Sequence, residues 1–332
     1  MKRIDRFSLL EQLGPSAHGA VAWRGQEPLP GGQTRPALVK VFPPLADGAK
    51  DVPPDVAREI ATLAQVGPHP HIVSLLGAGV ADRIPWLACE LETMTLEAVL
   101  GDKPMPAADV SRLLEQIGSA LMALHSLDPP MLHNDLKPAN ILATPWGSLK
   151  LCELGFASPP GVELTLDAAV VRYAAPELLN KELGRPNFSS DLYALGHIAY
   201  EMALGAKLHR MQFPGVYEDK SAQEAHPSKW MAWHCSPAAT VQPLIEFRKD
   251  LPPPLSAVIE RLMNKSIEKR YGSAAEMLAE LRGGGAALLE VAPASAAPSG
   301  VPTGSGRFVR RPPAGRAAVP PVAPAGTVPP KG

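Results

Sequence analysis

The feature that most constrains this sequence is one short stretch, HNDLKPAN at residues 133–140. It places a carboxylate, an amine and an amide at positions i, i+2 and i+5, in Asp135, Lys137 and Asn140. Transfer of a phosphoryl group needs these three groups close together. The carboxylate can accept the proton of an attacking hydroxyl, the amine can neutralise charge on the moving group, and the amide oxygen can ligate magnesium. The stretch therefore predicts a loop that performs phosphoryl transfer.

The same stretch resembles the catalytic loop of eukaryotic-type serine/threonine protein kinases, H-R-D-x-K-x-x-N, with Asn134 in place of the arginine. The resemblance implies that Asp135 is the catalytic base and that Lys137 is the serine/threonine-type lysine. Lys40, in the run ALVK, is similar to the family's V-A-I-K strand lysine. Because a lysine inside an apolar strand is costly unless it is paired, we expect it to bind Glu59 on the next helix.

Residues 13–21, LGPSAHGAV, resemble the glycine-rich loop of the family, with Ser16 at the middle glycine position. Glycines suit such a hairpin because backbone N–H groups must approach phosphate closely. Leu38 stands where the family usually has a small alanine against adenine, and its bulk narrows the expected pocket. The resemblance implies an ATP site formed by Gly14, Ser16, Gly19, Val21, Leu38, Lys40, Glu90 and Leu91.

The family's D-F-G motif is replaced by ELG, which puts Glu153 at the position of the metal-binding aspartate. Glu153 and Asn140 are therefore the expected ligands of Mg²⁺ or Mn²⁺. Because the extra methylene of glutamate moves its carboxylate and Mg²⁺ demands strict octahedral geometry, this substitution predicts slower turnover.

Five further positions bear on structure and regulation. The resemblance implies that Glu177, in the run APE, forms a buried ion pair with Arg270 and that Asp191 braces the catalytic loop. Val170 replaces the threonine that usually lies near the substrate hydroxyl. In the family, the arginine at the position of Asn134 binds a phosphate group on the activation loop. Because asparagine lacks that charge, phosphorylation of Ser158 or Thr165 should not switch activity by that route.

The pattern of apolar residues predicts an α+β protein. Short apolar runs at 39–42 and 86–91 predict strands, whereas 55–66, 108–127 and 191–202 have helical spacing, the first with Asp55 as a possible N-cap. The resemblance implies the bilobal protein kinase-like fold over residues 6–283, with a β-rich N-lobe to about 90 and a helical C-lobe from about 91. Residues 206–240, with His209, His226, His234 and Cys235, predict an irregular surface insertion rather than a zinc site.

The composition changes after Gly283. Residues 284–332 are rich in Pro, Ala and Gly and carry only basic charges, which predicts a disordered tail or, alternatively, a docking segment for a partner. The whole chain has a net charge of −1, which predicts no attraction to nucleic acid. Three dispersed cysteines indicate a reducing, cytoplasmic setting, and the absence of an apolar leader or 18-residue apolar run predicts no membrane span.

Two functions fit this sequence. The first is an ATP-dependent serine/threonine protein kinase, which Lys40, Glu59, Asp135, Lys137 and Asn140 support. The alternative is a pseudokinase that binds nucleotide or acts as a scaffold in signalling. The departures from the family pattern that support the alternative are Ser16, Leu38, Asn134, Glu153 and Val170.

Overall fold

A computed structural model describes residues 2–49, 51–92, 94–144, 147–163, 170–217 and 226–283. Within these residues a β-rich lobe is followed by a helical lobe, so the predicted bilobal α+β architecture is confirmed. The tail over 284–332 and Thr165 lie outside the described residues. The domain boundaries at 6 and 283 therefore stay predictions.

Six antiparallel strands form the sheet of the N-terminal lobe: β1 (Lys2–Ile4), β2 (Phe7–Pro15), β3 (Val21–Pro28), β4 (Thr34–Val41), β5 (Leu75–Ala81) and β6 (Ile84–Glu90). Their order in the sheet is β1-β2-β3-β4-β6-β5. One face of the sheet buries Phe7, Val39 and Trp86 in a small apolar core. Because side chains alternate along a strand, Lys40 faces away from its neighbour Val39, toward the nucleotide side.

The one long helix of this lobe is α1 (Pro54–Val66), which buries Val56 and Leu63. Asp55 does not cap it, and that expectation is wrong: the N-cap is Pro53, without a side-chain hydrogen bond. Asp55 lies inside the first turn instead, where its carboxylate accepts from the Arg58 guanidinium at 2.6 Å. The helix ends at Gly67, whose positive φ of 64° suits a residue without a β-carbon.

The C-terminal lobe contains a small antiparallel sheet of β7 (Met94–Thr95), β8 (Ile141–Ala143) and β9 (Leu149–Leu151). Its helices are α2 (Leu96–Val99), α3 (Ala107–His125), α4 (Pro176–Leu179), α5 (Phe188–Gln212), α6 (Pro227–Cys235), α7 (Leu244–Phe247), α8 (Pro253–Leu262) and α9 (Ala274–Gly283). Helix α3 packs against α5 and α9, and α5 packs against α8. This arrangement leaves α5 in the centre of the lobe.

The sequence of α5 explains its central place. It is apolar on nearly all sides, and its residues from Leu192 to Leu204 are almost completely buried. The chain kinks at Gly205, where φ is 70° and where an added β-carbon would lie 2.5 Å from the Lys103 carbonyl carbon. Only glycine fits there. In the described part of the chain, no helix combines the length and apolar character needed to span a membrane.

Candidate active site

The predicted catalytic loop, residues 133–140, is held by a carboxylate from α5. Asp191 accepts hydrogen bonds from the backbone amides of His133 (2.8 Å) and Asn134 (2.9 Å). His125 Nε2 lies 3.0 Å from the same carboxylate. Burial would raise the pKa of Asp191, but the hydrogen bonds and charge from His125 and His133 hold it below its usual value. The bracing role expected of Asp191 matches this geometry.

Asp135 lies in the centre of the loop and is 4% exposed. Lys137 Nζ donates to both of its carboxylate oxygens, at 2.8 and 3.0 Å. The amide nitrogen of Asn140 donates to the Asp135 carbonyl at 2.7 Å and to Oδ2 at 2.8 Å. The structure therefore brings together the three groups that the sequence singled out, and it fixes the carboxylate on both sides.

His133 ties this loop to the segment that carries Glu153. Its Nε2 donates to the carbonyl of Cys152 at 3.0 Å, and its Nδ1 accepts from the Asp135 amide at 3.2 Å. The Cys152 amide in turn donates to the Asn140 carbonyl at 3.0 Å. Both ends of the catalytic loop are thus joined to the residue immediately before Glu153.

The buried amine of Lys40 lies between two carboxylates. It donates to Glu59 Oε1 in a close ion pair, and it lies 3.2 Å from Glu153 Oε2. Burial opposes the charge on the lysine, but the two carboxylates outweigh it and raise the pKa of Lys40 above its usual value. Among the described residues, Glu59 Oε2 is buried without a hydrogen-bond partner. One cation therefore serves two anions in this cluster.

The loop between β2 and β3 is folded onto the segment 153–155. Ser16 Oγ donates to Glu153 Oε2 at 3.1 Å, and His18 Nε2 donates to the Gly155 carbonyl at 2.7 Å. Glu153 itself has a positive φ of 63°, in the left-handed region. The glutamate side chain, which is longer than the family's aspartate, contacts both Lys40 and Ser16 of the β2–β3 loop. His18 was not among the predicted site residues, although its place in the glycine-rich loop is a signal for this role.

A metal ion bound beside the catalytic loop would need oxygen ligands. Glu153 and Asn140 both carry side-chain oxygen atoms, so their chemistry suits such an ion. Glu153 offers carboxylate oxygens, and Asn140 offers its amide oxygen, because its amide nitrogen is turned to Asp135. Hard oxygen donors of this type suit Mg²⁺ or Mn²⁺.

A narrow cavity of about 40 Å³ lies between the lobes, where the sequence predicted the nucleotide. Drug-sized ligands usually occupy about 300–1,000 Å³, so the cleft is closed in this conformation. Leu38, Glu90 and Leu91 line it as predicted, together with Glu153. The other lining residues were not predicted from the sequence; they are Leu13, Ala22, Glu92, Met94, Thr95, Leu142 and Cys152.

The remaining predicted nucleotide contacts lie on the hairpin that ends at the closed loop. Gly14 is opposite Ala22 in the β2–β3 pair, and Val21 is opposite Pro15. Gly14 and Gly19 have φ of 136° and 73°, which only glycine adopts easily. Leu13 and Ala22 were detectable from the strand register, because side chains near a hairpin end that share one face point at the same space.

Asn134, which replaces the family's arginine, contacts the segment that directly follows Glu153, at Phe156 and Ser158. Its amide nitrogen donates to the Phe156 carbonyl at 3.1 Å and to Ser158 Oγ at 3.0 Å. Ser158 also pairs with Leu132 through two backbone hydrogen bonds, and it is completely buried. A neutral amide thus holds this segment where the family uses an arginine and a phosphate.

Arg172 and Tyr173 are bound to α5 through Glu201. Glu201 accepts from Arg172 Nη2 at 2.5 Å and from the Tyr173 hydroxyl at 2.6 Å. Burial would raise the pKa of Glu201, but the charge of Arg172 and these hydrogen bonds lower it. The predicted Glu177–Arg270 pair is present, with distances of 2.7 and 2.9 Å.

The expectation of an irregular surface insertion at residues 206–240 is wrong in part: among the described residues of this range, 206–212 belong to α5, 227–235 form α6, and six residues are buried. His209 and His234 are each 1% exposed and lie in a cluster of aromatic rings with Phe213 and Trp230. Aromatic side chains spaced through this region were the signal that it packs inward.

The sequence of this chain is similar to those of known protein kinases. The family model described as protein kinase domain matches residues 34–281. Serine/threonine-protein kinase 36 of Pongo abelii and of Mus musculus are each 30% identical over 207 residues, or 61% of this chain and 15% of theirs. Serine/threonine-protein kinase PknK of Mycobacterium bovis is 28% identical over 283 residues, or 83% of this chain and 23% of that protein. The chain thus spans less than a quarter of the length of these relatives.

Proposed function

The chain belongs to the protein kinase family, and on that premise we propose that it transfers the γ-phosphate of ATP to serine or threonine hydroxyls of a protein. The observation that carries the proposal is the Asp135 carboxylate, buried and held by Lys137 and Asn140 on a loop that Asp191 braces. A carboxylate in such a position can accept a proton without moving.

Each residue of the cluster has a distinct part in the proposed reaction. Asp135 accepts the proton of the substrate hydroxyl, and Lys137, within reach of that carboxylate, stabilises negative charge on the transferring group. Lys40 binds phosphate oxygens of ATP, and Glu59 holds its amine in place. Lys137 supports serine or threonine as acceptor, because it is the lysine of that branch of the family.

Glu153 and Asn140 would hold the metal ion, Mg²⁺ or Mn²⁺. When bound, such an ion would neutralise negative charge that develops on the phosphate groups during the transfer. Before ATP enters, the loop around Ser16 must release Glu153, because in this structure the two are hydrogen-bonded and the cleft is narrow. We expect this opening to depend on nucleotide.

The dispersed cysteines support a reducing compartment, the cytoplasm, as the place of action.

The test is a thermal-shift titration with ATP, with and without Mg²⁺ or Mn²⁺, followed by a phosphate-transfer assay on the same sample. We expect a metal-dependent rise in the melting temperature and incorporation of phosphate into protein. Asp135→Ala should lower the transfer rate by about 10²–10⁴-fold and leave the ATP-dependent shift intact. Glu115→Ala, an exposed change on α3, is the control.

An unchanged transfer rate in Asp135→Ala would contradict the assigned base. No thermal shift at millimolar ATP, combined with no transfer, would instead favour the alternative function, a pseudokinase that acts through its surface. The physical cause of the missing ATP binding would then be the Leu38 side chain, which narrows the cleft.

A further inference from the structure

The backbone of residues 170–173 is held from α6 by a histidine. His234 Nε2 lies 3.0 Å from the Arg172 carbonyl, and His234 Nδ1 lies 2.8 Å from the Tyr193 hydroxyl. Because a carbonyl oxygen can only accept, the proton of the ring is on Nε2. Nδ1 must then accept the hydroxyl proton of Tyr193. The three groups therefore form a directed chain from α5 through α6 to the segment 170–173.

We propose that His234 is a positioning residue for the protein substrate, which together with Tyr193 fixes the backbone of residues 170–173. This inference rests on the proposed kinase function, and on the resemblance that puts Val170 near the substrate hydroxyl. It goes beyond that function because no motif of the family marks His234, and because the effect is on the protein substrate rather than on ATP.

The surroundings of His234 keep its ring in one place. Trp230 stacks on it with a centroid distance of 5.5 Å, and His197 meets it at 4.9 Å. Lys265 holds the end of α6, where its amine donates to the backbone carbonyls of Trp233 and His234 and lies 3.6 Å from the centroid of the Trp233 ring. A side chain restrained on every side loses little entropy when it makes a hydrogen bond.

Burial also keeps this ring neutral. It lowers the pKa of His234 to about 3, and the charge of Lys265 acts in the same direction. The direction of the hydrogen-bond chain is therefore the same throughout the physiological pH range. A protonated ring would lose its acceptor at Nδ1 and would release Tyr193.

The segment 170–173 is thus held at two independent points. Glu201 binds the side chains of Arg172 and Tyr173, whereas His234 binds the backbone. Both holding groups come from the C-terminal lobe. The nucleotide cleft is lined by a different set of residues, from Leu13 to Glu153. Loss of His234 should therefore change substrate binding and leave ATP binding unaffected.

The experiment measures steady-state kinetics of the full chain with dephosphorylated casein as the protein substrate. His234→Phe should raise the KM for casein about 10-fold and leave kcat and the KM for ATP within about 2-fold, since it removes two hydrogen bonds. His234→Gln, whose amide can donate and accept, should return the KM for casein to within about 3-fold of the parent value. Tyr193→Phe should raise it by about 3-fold.

Tyr200→Phe is the matched control, because its hydroxyl donates to the Gln242 carbonyl at 3.0 Å in the same lobe without reaching residues 170–173. If Tyr200→Phe and Tyr193→Phe raise the KM for casein equally, or if His234→Phe leaves it unchanged, the inference is overturned. If the parent protein phosphorylates no casein and hydrolyses no ATP, the proposed function fails and this inference fails with it. Should His234→Phe not fold, Tyr193→Phe and His234→Gln decide.

Discussion

Two buried ion pairs in this molecule are built in opposite ways. In the C-terminal lobe, Glu177 and Arg270 have fully buried side chains and pair through two hydrogen bonds. The guanidinium also donates to the carbonyls of Asn264 and Lys265, and the carboxylate accepts from Ser190 Oγ. The charges are balanced in number and every side of the pair is bonded.

The cluster in the nucleotide cleft is not balanced. Lys40 serves both Glu59 and Glu153, so the three groups carry one surplus negative charge. Within the described residues, one oxygen of Glu59 is buried without a hydrogen bond. Burying such a group is costly, which is why a structural ion pair avoids it. The difference indicates that the first pair holds the fold, and we propose that the second cluster receives a cation.

The strongest test of this contrast removes the cation of the balanced pair. Arg270→Met should lower the free energy of unfolding by about 3–5 kcal/mol, because it leaves the Glu177 carboxylate buried and unpaired. Urea unfolding measures this change. The double variant Arg270→Met/Glu177→Gln should recover part of the loss. A loss under about 1 kcal/mol would show that the pair does not hold the fold.

Acid tests a third kind of buried polar group, the neutral histidine. Burial lowers the pKa of His209 to about 4 and of His234 to about 3, and burial with neighbouring charge lowers that of His197 strongly. Below pH 6.5 the unfolded chain binds these protons and the folded chain does not. Stability is therefore full above pH 6.5 and declines as the pH falls toward the folded-state values.

The slope should approach about 4 kcal/mol per pH unit between pH 6 and 5, since each histidine contributes about 1.4 kcal/mol per unit. Urea unfolding at pH 7.5, 6.0 and 5.0 measures it. His197→Phe should remove about a third of the slope. His226, which is exposed at the start of α6, is the control position.

The next change removes the surplus charge in the cleft. Glu59→Gln keeps a hydrogen-bond acceptor for Lys40 but makes the cluster neutral. We expect the transfer rate to fall about 10²-fold, since a neutral amide holds the Lys40 amine less firmly than a carboxylate does, while the free energy of unfolding stays within about 1 kcal/mol. Kinetics and urea unfolding of the same sample decide. A loss of stability as large as that of Arg270→Met would remove the contrast between the two pairs.

The smallest expected effect comes from shortening Glu153. Glu153→Asp should loosen the contacts with Ser16 and Lys40 and raise metal-dependent turnover by about 3-fold, because the loop opens more easily and the carboxylate suits Mg²⁺ better. Ser16→Ala is the control: it removes only the loop contact and should lower the KM for ATP without changing the dependence on metal. Lower turnover in Glu153→Asp would mean that the glutamate suits its site.

The helices show how much of the secondary structure can be predicted from the local spacing of apolar residues. The prediction of a helix over 108–127 agrees with α3 at Ala107–His125 to within two residues at each end, because a helix buries residues at a fixed interval. The Lys40–Glu59 and Glu177–Arg270 pairs were also expected, since the order of the motifs identified the fold and the fold brings these positions together. The expectation for residues 206–240 was wrong in part, because their aromatic content signals burial but its irregular spacing gives no period from which a helix is predicted.

The sequence by itself determined the family and the bilobal fold, and it predicted the residues of the catalytic loop, because these follow from short motifs in a fixed order and from local periodicity. Only the tertiary structure decided what those residues contact. Ser16 and Glu153 are 137 positions apart, and His234 and Arg172 are 62 apart. No local pattern encodes such pairs, because their distances depend on how separate segments pack against one another. The closed cleft and the histidine that holds residues 170–173 are properties of that packing.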